Sequence, residues 1–145
     1  MTYCTDSDLV KYRPNILSLG VSDWETQRTE AYTIINRVIT ARWYKKAAPE
    51  MGYDPNTTVF DPSYVRSATL TRLEAFKTLE LAYMLLKKEG PEADGFERLE
   101  KAFRSRYNEE LEMVLAVGID YDWSGSGEYE DDELYVRVQR RLVRS

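Results

Sequence analysis

Apolar residues recur at intervals of three and four along three stretches of this chain, the spacing of amphipathic helices. Tyr32, Ile35, Ile39 and Trp43 form the first stripe. It starts at Ser22 or Asp23, where a short side-chain oxygen can cap the first amides. Lys45 and Lys46 suit its closing turn, and Pro49 marks the stop. Leu70, Leu73, Phe76, Leu79, Tyr83 and Leu86 form the second stripe, over residues 63–89. Ala75, Ala82 and Leu85 broaden it, which predicts a central helix buried on more than one side, ended by Gly90-Pro91. Phe96, Leu99, Phe103, Tyr107, Leu111, Val114 and Leu115 form the third, over residues 92–117, with Gly118 as its terminator. A shorter helix precedes them. Thr5-Asp6-Ser7-Asp8 supplies capping oxygens and acidic first-turn residues, Leu9, Val10 and Tyr12 follow, and Pro14 closes it.

The connection over residues 48–63 carries Pro49, Gly52, Asp54-Pro55-Asn56 and Asp61-Pro62, all turn chemistry. Loops of that length are either functional or ordinary surface links. Two short connections, this long one and three stripes predict an all-α fold, an antiparallel bundle of three to four helices over residues 1–118.

Beyond Gly118 the pattern changes. Asp120, Asp122, Glu128, Glu130, Asp131, Asp132 and Glu133 follow one another with no cation among them, and Gly125 and Gly127 sit in their midst. The run from Leu134 to Arg144 is then basic, β-branched and roughly alternating, which predicts an extended segment. Residues 119–145 are therefore expected to form an acidic, glycine-rich hinge and a C-terminal arm. A lone strand has no sheet partner in a helical domain, and its backbone groups must pair somewhere. The expected partner-binding residues are Leu134, Tyr135, Val136, Arg137, Val138, Arg140, Arg141, Leu142, Val143 and Arg144. They would add to a sheet edge or groove on another chain. The alternatives are a disordered tail or a short hairpin folded on its own domain.

The same acidic stretch has the spacing of an EF-hand calcium loop. Asp120, Asp122, Ser124, Glu128 and Asp131 stand at ligand positions 1, 3, 5, 9 and 12, with Gly125 at position 6. Against it, Asp131 is shorter than the usual bidentate Glu, Gly127 replaces an aliphatic residue, and the segment that follows reads as a strand. No metal is favoured, and a small calcium-binding regulatory module is the alternative function.

Charge and composition narrow the chemistry. The chain has 145 residues and a net charge of −5, a balance that argues against free-standing nucleic-acid binding. It has no histidine, which removes Ser-His-Asp, Cys-His and His-based zinc arrangements. Cys4 stands alone, so no intramolecular disulfide forms, and Asp6 and Asp8 nearby are expected to raise its pKa. Glu109, Glu110 and Glu112 lie opposite the third stripe, where carboxylates are usually solvated. No phosphate loop or nucleophile elbow is present, so neither an enzyme nor a cofactor is expected. The opening residues show no basic start or apolar run, so no secretory leader and no membrane partner are expected.

Five stretches in this order carry a resemblance: Tyr-Cys-Thr-Asp-Ser-Asp-Leu from Tyr3, Ala-Tyr-Thr-Ile-Ile-Asn-Arg-Val-Ile from Ala31, Leu-Glu-Leu-Ala-Tyr-Met-Leu-Leu from Leu79, Phe-Arg-Ser-Arg-Tyr-Asn-Glu-Glu-Leu from Phe103, and Gly-Ile-Asp-Tyr-Asp-Trp-Ser-Gly-Ser-Gly from Gly118. With them the chain resembles the head–tail connector, or head completion, proteins of tailed bacteriophages. The resemblance implies a small helical bundle assembled as a ring, commonly of twelve copies, beneath the portal protein in the virion neck. Its partners would be the portal protein, neighbouring subunits and a tail or tail-completion protein. DNA would pass through the lumen without specific binding. Such a protein is made in the host cytoplasm.

Overall fold

The computed structural model describes residues 1–87 and 92–137. Among them the fold is all-α, four helical rods with no strand of ladder length. The first rod, α1, spans Asp6–Tyr12. Its start is tied by the Thr5 amide, which donates to the Asp8 carboxylate at 2.8 Å.

The second rod runs further than the lysines and proline predicted. Helix α2 spans Glu25–Ile39, passes through a π-helical turn at Thr40–Tyr44, and continues as α3 over Lys45–Glu50. Pro49 therefore lies inside the last turn. Ala47 and Ala48 are fully buried beside it, and their packing holds that turn helical although Pro49 donates no hydrogen bond. The third rod, α4, spans Ser67–Leu86 and starts later than expected. Pro62–Tyr64 forms a separate 3-10 turn capped by Asp61, and Val65 is extended because it pairs with Tyr121. Gly90-Pro91 lies outside the described residues. The fourth rod, α5, spans Ala93–Val117, close to its expected bounds.

Helix α4 is central, with α1, α2 and α5 all packed against it. It runs antiparallel to α5: Lys87 meets Glu100, Glu80 meets Arg104, and Arg72 meets Glu110. Tyr83 stacks on Phe103 at 5.9 Å between ring centroids. Leu85, expected inside, is 41% exposed. The other sides of α4 instead bury carboxylates, each with partners. Glu80 bonds Lys77 and Arg104 at 2.8 and 2.9 Å. Glu74 accepts the backbone amides of Tyr3 and Cys4 at 3.0 and 2.9 Å, which pins the N-terminal segment to the centre of the bundle.

The expected boundary at residue 118 is not where the fold divides. Ile119, Tyr121 and Trp123 are buried in the same core cluster as the helices. The reason is apolar area: Tyr121 and Trp123 pack on Trp43 and Tyr44, and Ile119 is buried in the same cluster. Among the described residues no helix is long and apolar enough to cross a membrane.

Candidate functional site

The described end of the chain forms a cap on the bundle, and those of the expected site residues that are described fall on it. Three extended pieces lie side by side. Val65 bridges Tyr121 and Ile119 bridges Val136, both antiparallel. The Ile119 and Val136 amides donate to each other's carbonyls at 2.8 and 3.1 Å. The Trp43 indole N–H donates to the Val136 carbonyl at 2.8 Å, joining the cap to the π turn. Beneath it Trp123 stacks on Tyr44, with an interplanar angle of 8°. The Tyr44 hydroxyl donates to the Thr58 carbonyl, so the long connection is anchored here as well.

Acidic side chains hold the cap together from inside. Asp120 accepts the Tyr135 amide at 2.6 Å on one oxygen and meets Arg66 at 3.2 Å on the other. Asp122 accepts the Ser126 and Gly127 amides at 3.2 and 2.8 Å, closing the glycine turn. Glu133 accepts the Ser124 and Glu130 amides at 2.8 and 2.9 Å. A carboxylate that accepts backbone N–H groups replaces its lost water contacts, so these three can be buried. Tyr135 sits at φ 51° and its carbonyl lies against Gly118. A Cβ at Gly118 would stand 2.2 Å from that carbonyl oxygen. Gly118 itself is at φ 108°, a region that favours glycine.

The arm expectation is altered at its base. Val136 is engaged with Ile119 and Trp43, Leu134 is half-buried, and only Tyr135 and Arg137 among the described arm residues are exposed. The Ser124–Gly127 stretch, expected as a hinge, is cross-bonded to Asp122. Val138, Arg140, Arg141, Leu142, Val143 and Arg144 lie outside the described residues.

The five calcium-loop positions do not converge. Both oxygens of Asp120 and of Asp122 are taken by donors of the protein itself, while Ser124, Glu128 and Asp131 are exposed. No cluster of three or more acidic or thiol side chains suited to a metal ion occurs among the described residues. On α5, Glu110 and Glu112 pair with Arg72 and Arg42, and Glu109 is exposed. The Cys4 thiol is pushed up, as expected, but for a different reason. Burial is the main cause and the Glu74 carboxylate adds to it; Asp6 is engaged with Arg28, and Asp8 with Thr5 and Lys11.

Ile119, Tyr121 and Trp123 are core residues outside the three stripes; their alternation with Asp120 and Asp122 is the period of an extended segment. The exposed surface of α2, the π turn and α3 carries Arg37, Arg42, Lys45 and Lys46, a cationic face that no stripe marks. Comparison with protein-family models, with curated proteins and with solved structures finds no match.

Proposed function

We propose that this chain is a structural subunit of the neck of a tailed bacteriophage, a ring adaptor between portal and tail. In this reading about twelve copies, the number the resemblance implies, extend the DNA channel below the portal and offer the tail a docking surface. The observation that carries the reading is where the resembling stretches sit in the fold. The first meets the second where the Tyr3 hydroxyl donates to Asn36 and its ring packs on Tyr32. The third meets the fourth where Tyr83 stacks on Phe103. The last covers the end of the second rod through Trp123 and Trp43. Each of the resembling stretches thus contributes side chains to one core, which supports reading them as parts of a single small helical bundle.

The portal-facing or neighbour-facing element in this reading is the basic segment 138–145, since 133–136 is committed to the cap. The test is a phage carrying the gene shortened after Arg137. Electron microscopy of its particles should show heads that lack the adaptor ring, lose DNA and accept no tails. The purified full-length chain should run as a monomer or weak oligomer by light scattering. Functional particles from the shortened gene would sink the role given to the segment. A tight dimer that persists without residues 138–145, or virions devoid of the chain, would sink the ring.

A further inference from the structure

The chain's charge is segregated. From Ala31 to Pro49 there is no Asp or Glu, while Arg37, Arg42, Lys45 and Lys46 give +4; within a net −5, the rest of the chain carries −9. All four cations are exposed. Arg42 is held by Glu112 at 2.9 Å, whereas Arg37, Lys45 and Lys46 make no ion pair among the described residues.

The π turn organises them. In a regular α-helix, residues eight apart point roughly 80° away from each other. The Thr40–Tyr44 turn absorbs about one extra residue, so Arg37 and Lys45 act as if seven apart, within roughly 20°. Both line one groove of about 400 Å³, with Asn36 and Thr40 on its floor and Phe60 and Pro62 on its far wall. The nearest carboxylate in the chain to that wall, Asp61, is engaged with Ser63.

We infer that the α2–α3 face around Arg37, Lys45 and Lys46 is a sequence-independent contact surface for the phosphate backbone of duplex DNA. Arg37 and Lys45, aligned along the groove with Lys46 beside them, can meet successive phosphates, while the chain outside this face carries a net negative charge even with its basic segment 137–144. That combination orients the polyanion without holding it tightly, as transit requires. The assignment of this face to the wall of the channel rests on the connector reading; phosphate binding by the face does not.

The test is fluorescence anisotropy of a labelled duplex of about 20 base pairs titrated with full-length protein at several salt concentrations. The expected affinity is in the nonspecific range, with a log–log salt slope near −2.7 for about three phosphates. Arg37→Glu with Lys45→Glu should weaken binding about tenfold or more and flatten the slope by about two contacts. Lys101→Glu, an exposed cation on α5, should change it by less than about twofold. Circular dichroism confirms that the variants fold. No binding at about 20 mM salt would overturn the inference, as would an equal loss in Lys101→Glu. So would competition by polyglutamate as effective as competition by DNA, which would assign the face to an acidic protein segment. None of these outcomes bears on whether the chain forms a neck ring, which particle microscopy decides.

Discussion

Replacing Trp43 by alanine removes a side chain that joins the helical rod to the returning segment through both its ring and its indole N–H. Trp43 is fully buried, with its ring 5.7 Å from Tyr121 and 5.6 Å from Trp123, and its indole N–H bonds the Val136 carbonyl. Large aromatic-to-alanine changes in cores cost about 3–5 kcal/mol. This site belongs in the upper part of that range, because Trp123 and Tyr44 stack on each other and cannot collapse into the cavity without unstacking. Trp43→Phe separates packing from the hydrogen bond. It keeps most of the ring and loses the bond, and the Val136 carbonyl still accepts the Ile119 amide, so no buried acceptor is orphaned. That change should cost about 1 kcal/mol. Urea denaturation followed by far-ultraviolet circular dichroism gives both values. Hydrogen exchange at the Ile119 and Val136 amides reports whether the cap opens with the helices or before them. A Trp43→Ala stability within about 0.5 kcal/mol of the parent would refute this role of the indole. So would weakened helices with unchanged exchange at those two amides.

Gly118→Ala should lower stability by at least about 1–3 kcal/mol by calorimetry, since the new methyl meets the Tyr135 carbonyl and the backbone stays at positive φ; an unchanged melting temperature would refute the close approach. Glu74→Ala leaves the Tyr3 and Cys4 amides without their acceptor and should cost about 2–5 kcal/mol, with exchange of those two amides accelerating first. Burial holds the Glu74 pKa above its ordinary 4.5, against the pull of the two amides and Arg28. The folded chain therefore binds this proton more tightly than the unfolded chain, and the stability it brings is lost as pH rises through the raised value. The parent should accordingly lose stability relative to Glu74→Gln as pH rises above the ordinary carboxylate value of 4.5, and a constant difference would contradict the shift. Cys4 should resist thiol reagents in the native state at about pH 8 and react on unfolding; complete reaction within minutes in native buffer would show that the segment is open.

The helices were legible because their signal is local. The stripes through Leu70 to Tyr83 and Phe103 to Val114 face inward as their spacing requires, and Gly118 ends α5 as expected. The cap was not legible, because its character depends on what it covers. Counting carboxylates from Asp120 to Glu133 suggests repulsion and solvation, yet three of those side chains are buried and accept backbone amides. Burial of Glu133 needs two amides to point at it: that of Glu130, three residues back as in a capping box, and that of Ser124, nine residues back, which no local spacing encodes. The long helix was cut short for a similar reason. Pro49 lowers helix propensity by a local rule, and the buried pair Ala47 and Ala48 overrides it through packing.

One insertion ties the interior of the second rod to its surface. Counted along a regular helix, Tyr44 would point roughly 140° from Ile39, toward solvent. With one residue absorbed in the π turn the offset falls to roughly 40°, and Tyr44 joins Trp43 beneath Trp123. The same shift, read on the outside, aligns Arg37 with Lys45 along the groove. The wide turn weakens local hydrogen bonding and is kept only where tertiary contacts compensate. Here the aromatic cap compensates from within. The cationic row therefore depends on the cap for its register, although the cap residues touch none of its charges. Net charge could not reveal this row, because a sum over the chain cancels four cations against a larger number of carboxylates placed elsewhere.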